Sequence, residues 1–142
     1  MGRRKPKIVE NIVITDIGDK GQAIGRDEEG IVYFVKGAVP GDVVDVLVKR
    51  KKSSYRQGIV SQFKSYSSER VEPFCKHFGN CGGCKWQYLD YPSQLKYKEK
   101  VVLDAFKRIG HLEIKNREQI LGCDLTEAVS YTHLTLPTTP YV

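Results

Sequence analysis

The sequence predicts a small all-β barrel over residues 1–66, followed over residues 67–128 by the opening of an α+β domain that carries a cysteine-rich loop and one amphipathic helix. Three observations carry that prediction. Five β-branched segments, separated by turns rich in Gly, Pro and Asp, occupy the first half of the chain. Three cysteines follow with the spacing Cys75-x5-Cys81-x2-Cys84. A helical apolar period then begins behind Pro92 and stops at Gly110. At 142 residues the chain is long enough for one ordinary domain or two small ones.

Ile8, Val9, Ile12, Val13 and Ile14 form the first strand, which stops at the turn-rich Asp16-Ile17-Gly18-Asp19-Lys20-Gly21. Residues 22–26 form the second, and Asp27-Glu28-Glu29-Gly30 turns the chain into Ile31, Val32, Tyr33, Phe34 and Val35. Pro40-Gly41 marks a loop. Val43, Val44, Val46, Leu47 and Val48 make the fourth strand and residues 55–65 the fifth, with Tyr55, Ile59, Val60 and Phe63 as its larger side chains. Tyr33 and Phe34 read as barrel core rather than as stacking platforms. A sheet of five short strands removes its unpaired edges by closing on itself. The OB-fold is such a closed form and a frequent nucleic-acid binder.

In the helix, Asp90 favours the positive helix start and Pro92 suits the first turn. Leu95, Val102, Phe106 and Ile109, with Val101 and Leu103 alongside, give a broad apolar face packed beside the cysteine loop, and Lys96, Lys98 and Lys100 form the wet side. Lys107 and Arg108 occupy the last turn, and Gly110 is the expected stop. His111 reads as a surface residue.

The formal net charge is +6. Residues 1–66 carry thirteen basic against eight acidic side chains, residues 67–128 a net +1, and the last fourteen residues no Lys, Arg, Asp or Glu. Positive charge therefore belongs to the barrel and points to a polyanionic partner. One cluster is Arg3-Arg4-Lys5-x-Lys7; the other is Lys49, Arg50, Lys51 and Lys52 with Arg56. Ser53, Ser54 and Tyr55 interleave the second cluster with hydroxyls and a ring, a mixture suited to phosphate contact plus stacking. Lys49, Arg50, Lys51, Lys52 and Arg56 are accordingly the candidate RNA-binding residues, although a solvated hairpin tip has the same composition. No run approaches the about 18 apolar residues of a membrane span, and no apolar signal segment follows Met1. A cytoplasmic, monomeric protein with no membrane partner is expected.

Thiolates as close as Cys75, Cys81 and Cys84 repel one another and oxidise readily unless a metal binds them. Gly79, Gly82 and Gly83 let the backbone aim N–H groups at a charged centre, as around an iron–sulfur cluster. Zinc is the alternative, with His77 completing a Cys3His set, and unmetallated thiols are a third. A disulfide framework needs an oxidising compartment, which the expected location does not supply.

The basic barrel, the loop Lys36-Gly37-Ala38-Val39-Pro40-Gly41-Asp42 and the cysteine spacing together resemble the start of the RNA uracil-C5-methyltransferases. Cys81-Gly82-Gly83-Cys84-x-Trp86-Gln87, leading into Tyr91-x2-Gln94-Leu95-x2-Lys98, is similar to that family's text after its cluster cysteines. The likeness covers about residues 7–125 and is closest to the cluster-containing bacterial 23S ribosomal RNA enzymes. It implies that residues 1–66 are a TRAM domain, an OB-like RNA-binding module, and that residues 67–128 are the truncated start of an iron–sulfur-binding central domain. It also implies a [4Fe-4S] cluster with Cys75, Cys81 and Cys84 as ligands, 23S rRNA as partner, and S-adenosylmethionine as methyl donor in the full-length protein only.

Two departures qualify the likeness. The family uses a fourth cluster cysteine much further along. Cys123, in the context Ile120-Leu121-Gly122-Cys123-Asp124, does not match it and reads as an ordinary semi-buried residue. The cluster set is then incomplete unless His77 or an outside ligand substitutes. There is also no glycine-rich strand-to-helix turn for a nucleotide-like cofactor, so the fragment of an enzyme is expected to be inactive by itself, with no catalytic residue. Residues 129–142 break in composition and resemble a translated library adapter; they are set aside as a non-native tail, with His133. The alternative function is a free-standing zinc-stabilised RNA-binding module without catalytic activity.

Overall fold

The computed structural model describes residues 7–18 and 20–124. Its elements are β1 (Lys7–Ile17), β2 (Ala23–Arg26), β3 (Val32–Lys36), β4 (Val43–Lys51), β5 (Tyr55–Ser65) and α1 (Tyr91–Arg108). The strands close in the order β1-β2-β3-β5-β4, with β4 returning to β1. Every pairing is antiparallel except that of β3 with β5. The expected OB-like barrel is present, and its strands match the β-branched segments to within a few residues.

Alternation along the strands sends Ile12, Ile14, Ala23, Tyr33, Val35, Val44 and Val46 inward, where they are buried together with Ala38. Each buried Val or Ile contributes about 1.5–3 kcal/mol. Two inward positions admit only glycine: a Cβ on Gly25 would stand 2.6 Å from Ile12 Cγ2, and one on Gly58 2.4 Å from Val46 Cγ1. β1 serves two neighbours because it bends. Its register against β4 shifts between Val9 and Ile12, and Asn11 sits there at φ 56°, a left-handed conformation that Asn tolerates. The Asn11 N–H donates to Asp45 Oδ1 (3.1 Å), and Lys64 Nζ lies 3.1 Å from Asp45 Oδ2. Burial pushes the Asp45 carboxyl up; the Asn11 N–H and Lys64 outweigh it and hold the group below its usual range.

Beyond β5 the chain folds back on one end of the barrel. Arg70 and Leu89 bridge antiparallel, Val71 N–H donates to Tyr88 O (3.0 Å), and Asp90 N–H donates to Glu69 O (3.0 Å). The cysteine loop is an excursion between these paired stems. α1 starts from Asp90, whose Oδ1 accepts from Ser93 N–H (2.9 Å), with Pro92 in the first turn. Ile17, Val39, Leu89 and Tyr97, with Trp86 and Tyr88 packed against them, form a second apolar cluster that joins barrel, stems and helix.

The helix occupies the predicted stretch but uses its faces differently. Its buried residues are Ser93 and Tyr97, whereas Val102, Phe106 and Ile109 are 53%, 41% and 81% exposed. Tyr97 takes the inner position because its ring joins the second cluster while its hydroxyl donates to Glu69 Oε2 (2.9 Å), so both ends of the side chain are satisfied. Lys96 and Lys100, assigned to the wet side, pair with Glu69 (3.0 Å) and Asp16. The left-handed residue that ends the helix is His111 (φ 52°) rather than Gly110, and Leu112 N–H closes on Phe106 O (3.0 Å). Cys123 is exposed rather than semi-buried, its N–H donating to the Tyr91 hydroxyl (2.7 Å). Among the described residues no helix is long and apolar enough to cross a membrane. The basic arm Arg3-Arg4-Lys5 and residues 129–142 lie outside the described residues.

Candidate nucleic-acid interface

β4 and β5 meet in a hairpin where Lys52 N–H donates to Tyr55 O (2.9 Å). Lys49, Arg50, Lys51 and Lys52 are all exposed there. Among the described residues none of the four is in an ion pair. Consecutive unpaired cations on one paired hairpin form a compact electrostatic footprint for phosphate. The β4–β5 register shifts between Val48 and Arg50, so Lys49 is the extra residue of a bulge, after which Arg50 pairs with Gln57 and Lys51 with Arg56. The bulge increases the local twist and puts Arg50 and Lys51 on opposite faces of the hairpin.

Arg56 stands across from Lys51 but does not present its charge with the others. Its guanidinium turns into the barrel end, 3.8 Å from Asp27 Oδ2 and 5.3 Å from the Tyr33 ring centre, and Nη1 donates to the Tyr33 hydroxyl. Tyr33, wholly buried as expected of core, donates that hydroxyl to Asp27 Oδ2 (2.9 Å), and Ile31 N–H donates to Asp27 Oδ1 (2.8 Å). Burial raises the Asp27 carboxyl, but the Ile31 N–H, the Tyr33 hydroxyl and Arg56 outweigh it, and the group is held below its usual range. Burial, reinforced by Asp27, raises the Tyr33 phenol. Arg56 braces the base of the hairpin. Phe34, by contrast, is not core: it lies on the outer face, partly buried, in an edge-to-face contact with Tyr55 (5.3 Å, 88°).

Within the cysteine loop, Phe78 N–H donates to Cys75 O (3.0 Å), and the N–H groups of Asn80 and Cys81 converge on His77 O (3.2 and 3.0 Å). Gly79 and Gly82 take positive φ, at 88° and 73°; Gly83 does not. Cys75 is half-buried, its N–H donating to Gln87 Oε1 (3.3 Å), and Cys81 and Cys84 are exposed; none of them is in a disulfide. Three soft thiols and an imidazole within one loop are the donor types of zinc or iron–sulfur sites. Among the described residues, however, no three His, Cys, Asp or Glu side chains stand together as an ion-binding group. The loop offers the donor types of a centre without an assembled ligand set.

The pair that organises this end of the molecule, Asp42 and Arg70, went unnoticed in the sequence. Asp42 is wholly buried and accepts from Val39 N–H (2.8 Å), Ser67 N–H (2.9 Å), Arg70 Nε (3.3 Å) and Arg70 Nη2 (2.6 Å). Arg70 also donates to Gly37 O (3.1 Å) and lies over the rings of Phe63 (4.8 Å), Tyr66 (5.7 Å) and Tyr88 (5.1 Å). The β3–β4 loop, the end of β5 and both stems of the cysteine loop are thereby tied to one ion pair. An acid following Pro40-Gly41 at the head of a valine-rich strand is a usable signal for Asp42; Ser67-Ser68-Glu69-Arg70 has none for its partner.

The TRAM domain family matches residues 4–60. The chain is 46% identical over 108 residues to an uncharacterized RNA methyltransferase of Bacteroides thetaiotaomicron, which covers 76% of this chain and 24% of that relative. It is 40% identical over 114 residues to the 23S rRNA (uracil(1939)-C(5))-methyltransferase RlmD of Methylococcus capsulatus, with coverages of 79% and 26%. Among solved structures, the tRNA (uracil-54, C5)-methyltransferase of Pyrococcus abyssi in complex with S-adenosyl-L-homocysteine is 26% identical, over 72% of this chain and 22% of that one. Its TM-score of 0.40 is too low to transfer geometry. The chain spans about a quarter of the length of the curated relatives it matches. With a TRAM domain on its barrel and the segment that follows, it is homologous to the N-terminal part of the RNA (uracil-C5)-methyltransferases.

Proposed function

We propose that this chain is the RNA-binding N-terminal part of an S-adenosylmethionine-dependent rRNA uracil-C5-methyltransferase, with the β4–β5 hairpin as its phosphate-binding edge. The observation that carries the proposal is the exposed set Lys49, Arg50, Lys51 and Lys52, in no ion pair among the described residues, on a hairpin whose base Arg56 braces. The hairpin holds structured RNA by its backbone while a separate catalytic region takes a uracil out of its stack. The likeness to a 23S rRNA enzyme supports 23S rRNA as the partner. S-adenosylmethionine supplies the methyl group in that reaction, and residues 7–124 have no assigned part in holding it.

The test is fluorescence anisotropy with a structured rRNA fragment across a salt series, comparing the chain with a variant in which Lys49, Arg50, Lys51 and Lys52 are all changed to Gln. Removing one cation from a phosphate lowers the log–log salt slope by about 0.9 on duplex or about 0.7 on single strands, so the variant binds more weakly and with a flatter slope. Equal affinity and slope for both proteins would place the interface elsewhere.

Cys75, Cys81 and Cys84 are proposed as three ligands of a [4Fe-4S] cluster, completed by a donor from outside this trio, that stiffens the loop between its paired stems. The second reading is zinc with His77, in the same loop, as fourth ligand of a Cys3His set. Anaerobic purification with metal and sulfide analysis separates them. Iron with sulfide and broad visible absorbance supports the cluster; one zinc per chain, lost in His77→Ala, supports the zinc module; neither metal refutes both.

A further inference from the structure

A groove of about 620 Å³ separates the C-terminal half of α1 from the outer face of the barrel, within the size range of small-molecule sites. Ile24, Val32 and Phe34 line one wall and Val101 and Ala105 the other, with Arg26 beside them. The strand register explains why aromatic and basic side chains meet there. Ile24, Phe34, Gln57 and Arg50 are successive partners across β2, β3, β5 and β4 and share one outer row. Arg26, Val32 and Tyr55 form the adjacent row, which ends at the hairpin residue Lys52. Arg50 lies two strands from Phe34, roughly 10 Å at ordinary strand spacing. The groove and the basic hairpin therefore lie on the same outer face of the sheet.

Two carboxylates and two guanidinium groups line the groove, and the charge left after pairing is positive. The two carboxylates are paired within the chain at its surface, Asp16 with Lys100 and Asp104 with Lys100 (3.6 Å) and Arg108 (3.8 Å). Arg26 is exposed and, among the described residues, in no ion pair. An apolar slot with an aromatic wall and an uncommitted guanidinium at its edge complements a flat base attached to a phosphodiester; an acidic or neutral apolar peptide answers only one half of it. A base still stacked in a duplex cannot enter, so the match is to an unpaired one.

We infer that this groove takes an unpaired nucleobase of single-stranded RNA, stacked on Phe34, with Arg26 on the neighbouring phosphate. The inference rests on the RNA-binding reading above and adds to it a second, base-contacting site. It is tested on the whole chain with a short single-stranded RNA carrying one 2-aminopurine and with a fully paired RNA of the same length, using Phe34→Leu, which keeps apolar volume, and Arg26→Gln, which is exposed. Circular dichroism and the melting midpoint establish that each variant is folded; if Phe34→Leu is not, Arg26→Gln decides.

Stacking on an aromatic side chain is worth roughly 5- to 150-fold in affinity per base. Phe34→Leu is expected to weaken single-strand binding by at least about fivefold, and Arg26→Gln by a few fold. Duplex affinity stays within about twofold, because the duplex has no base to offer. The 2-aminopurine fluorescence is quenched by the unmodified chain and not by Phe34→Leu. Unchanged single-strand affinity and quenching in a folded variant would overturn the inference and leave the groove to a protein segment, as would equal losses on single strand and duplex. If only the hairpin variant loses RNA, the groove inference alone fails; if the unmodified chain binds neither RNA, the RNA-binding reading fails with it.

Discussion

Replacing Asp42 by Ala removes the acceptor for four hydrogen bonds at once, from Val39 N–H, Ser67 N–H and two nitrogens of Arg70. Breaking a buried ion pair by deleting one partner costs about 3–5 kcal/mol, because the other charge is left uncompensated. Asp42 is wholly buried, but the Arg70 side chain is 19% exposed and keeps Gly37 O and three aromatic faces. Those residual partners favour the lower end, about 3 kcal/mol, a large share of the roughly 5–15 kcal/mol that holds a domain together. At about 4–8 °C per kcal/mol for a domain this small, the melting midpoint falls by roughly 12–24 °C. Arg70→Ala has a comparable effect, since it leaves the Asp42 carboxylate with only two backbone donors. Both substitutions remove the same interaction, so the double variant is less destabilised than the sum of the two by about 1–3 kcal/mol. Urea denaturation followed by Trp86 fluorescence measures all four corners of the cycle. Trp86 is the only tryptophan, and it sits at this junction with Nε1 donating to Gly21 O (3.1 Å). A loss below about 1 kcal/mol for Asp42→Ala, or strict additivity in the double variant, would refute the idea that this pair ties the cysteine loop to the barrel.

Arg56→Ala is expected to lower stability by about 1.5–3 kcal/mol, the worth of hydrogen bonds to a charged group, while leaving the salt slope of RNA binding unchanged; thermal melts and anisotropy check the two halves. The folded-state carboxyls of Asp27 and Asp45 lie below their unfolded values, so their contribution is complete above about pH 4 and disappears as the pH falls through the lower folded values. Stability measured from pH 5 downward should therefore fall less steeply in the Asp27→Asn, Asp45→Asn double variant than in the unmodified chain. Gly58→Ala forces a methyl to within 2.4 Å of Val46 Cγ1 and 2.7 Å of Leu47 O, and overpacking of this kind costs about 1–3 kcal/mol, read from the urea midpoint.

The barrel was legible because its signals are local. Alternating β-branched residues define strands wherever they occur, and Pro40-Gly41 or Asp27-Glu28-Glu29-Gly30 turns the chain irrespective of what packs against it. The exposed hairpin cations were legible for the same reason, since consecutive lysines rarely find buried partners. What the sequence concealed depends on residues distant along the chain. Arg56 looks like one more cation of its cluster until the parallel pairing of β3 with β5 sets it beside Tyr33, with Asp27 within reach. Phe34 and Tyr33 are adjacent aromatics, and the phase of β3 sends the tyrosine inward and the phenylalanine to the surface. Arg70 answers Asp42 across 28 positions, with no local pattern to mark it. In α1, helical period identified an apolar stripe at Val102, Phe106 and Ile109, but the barrel engages the side that holds Tyr97 and Lys100.

The most direct measurement is an amide-resolved NMR titration of the isotope-labelled chain with single-stranded RNA at low salt. Residues 49–52, Tyr55, Phe34 and Arg26 should shift together and saturate with one affinity, while Val102 and Phe106 on the far side of α1 stay still. Shifts confined to that far side of the helix, or a hairpin that does not respond while RNA is demonstrably bound, would contradict the assignment of the β4–β5 edge as the RNA interface.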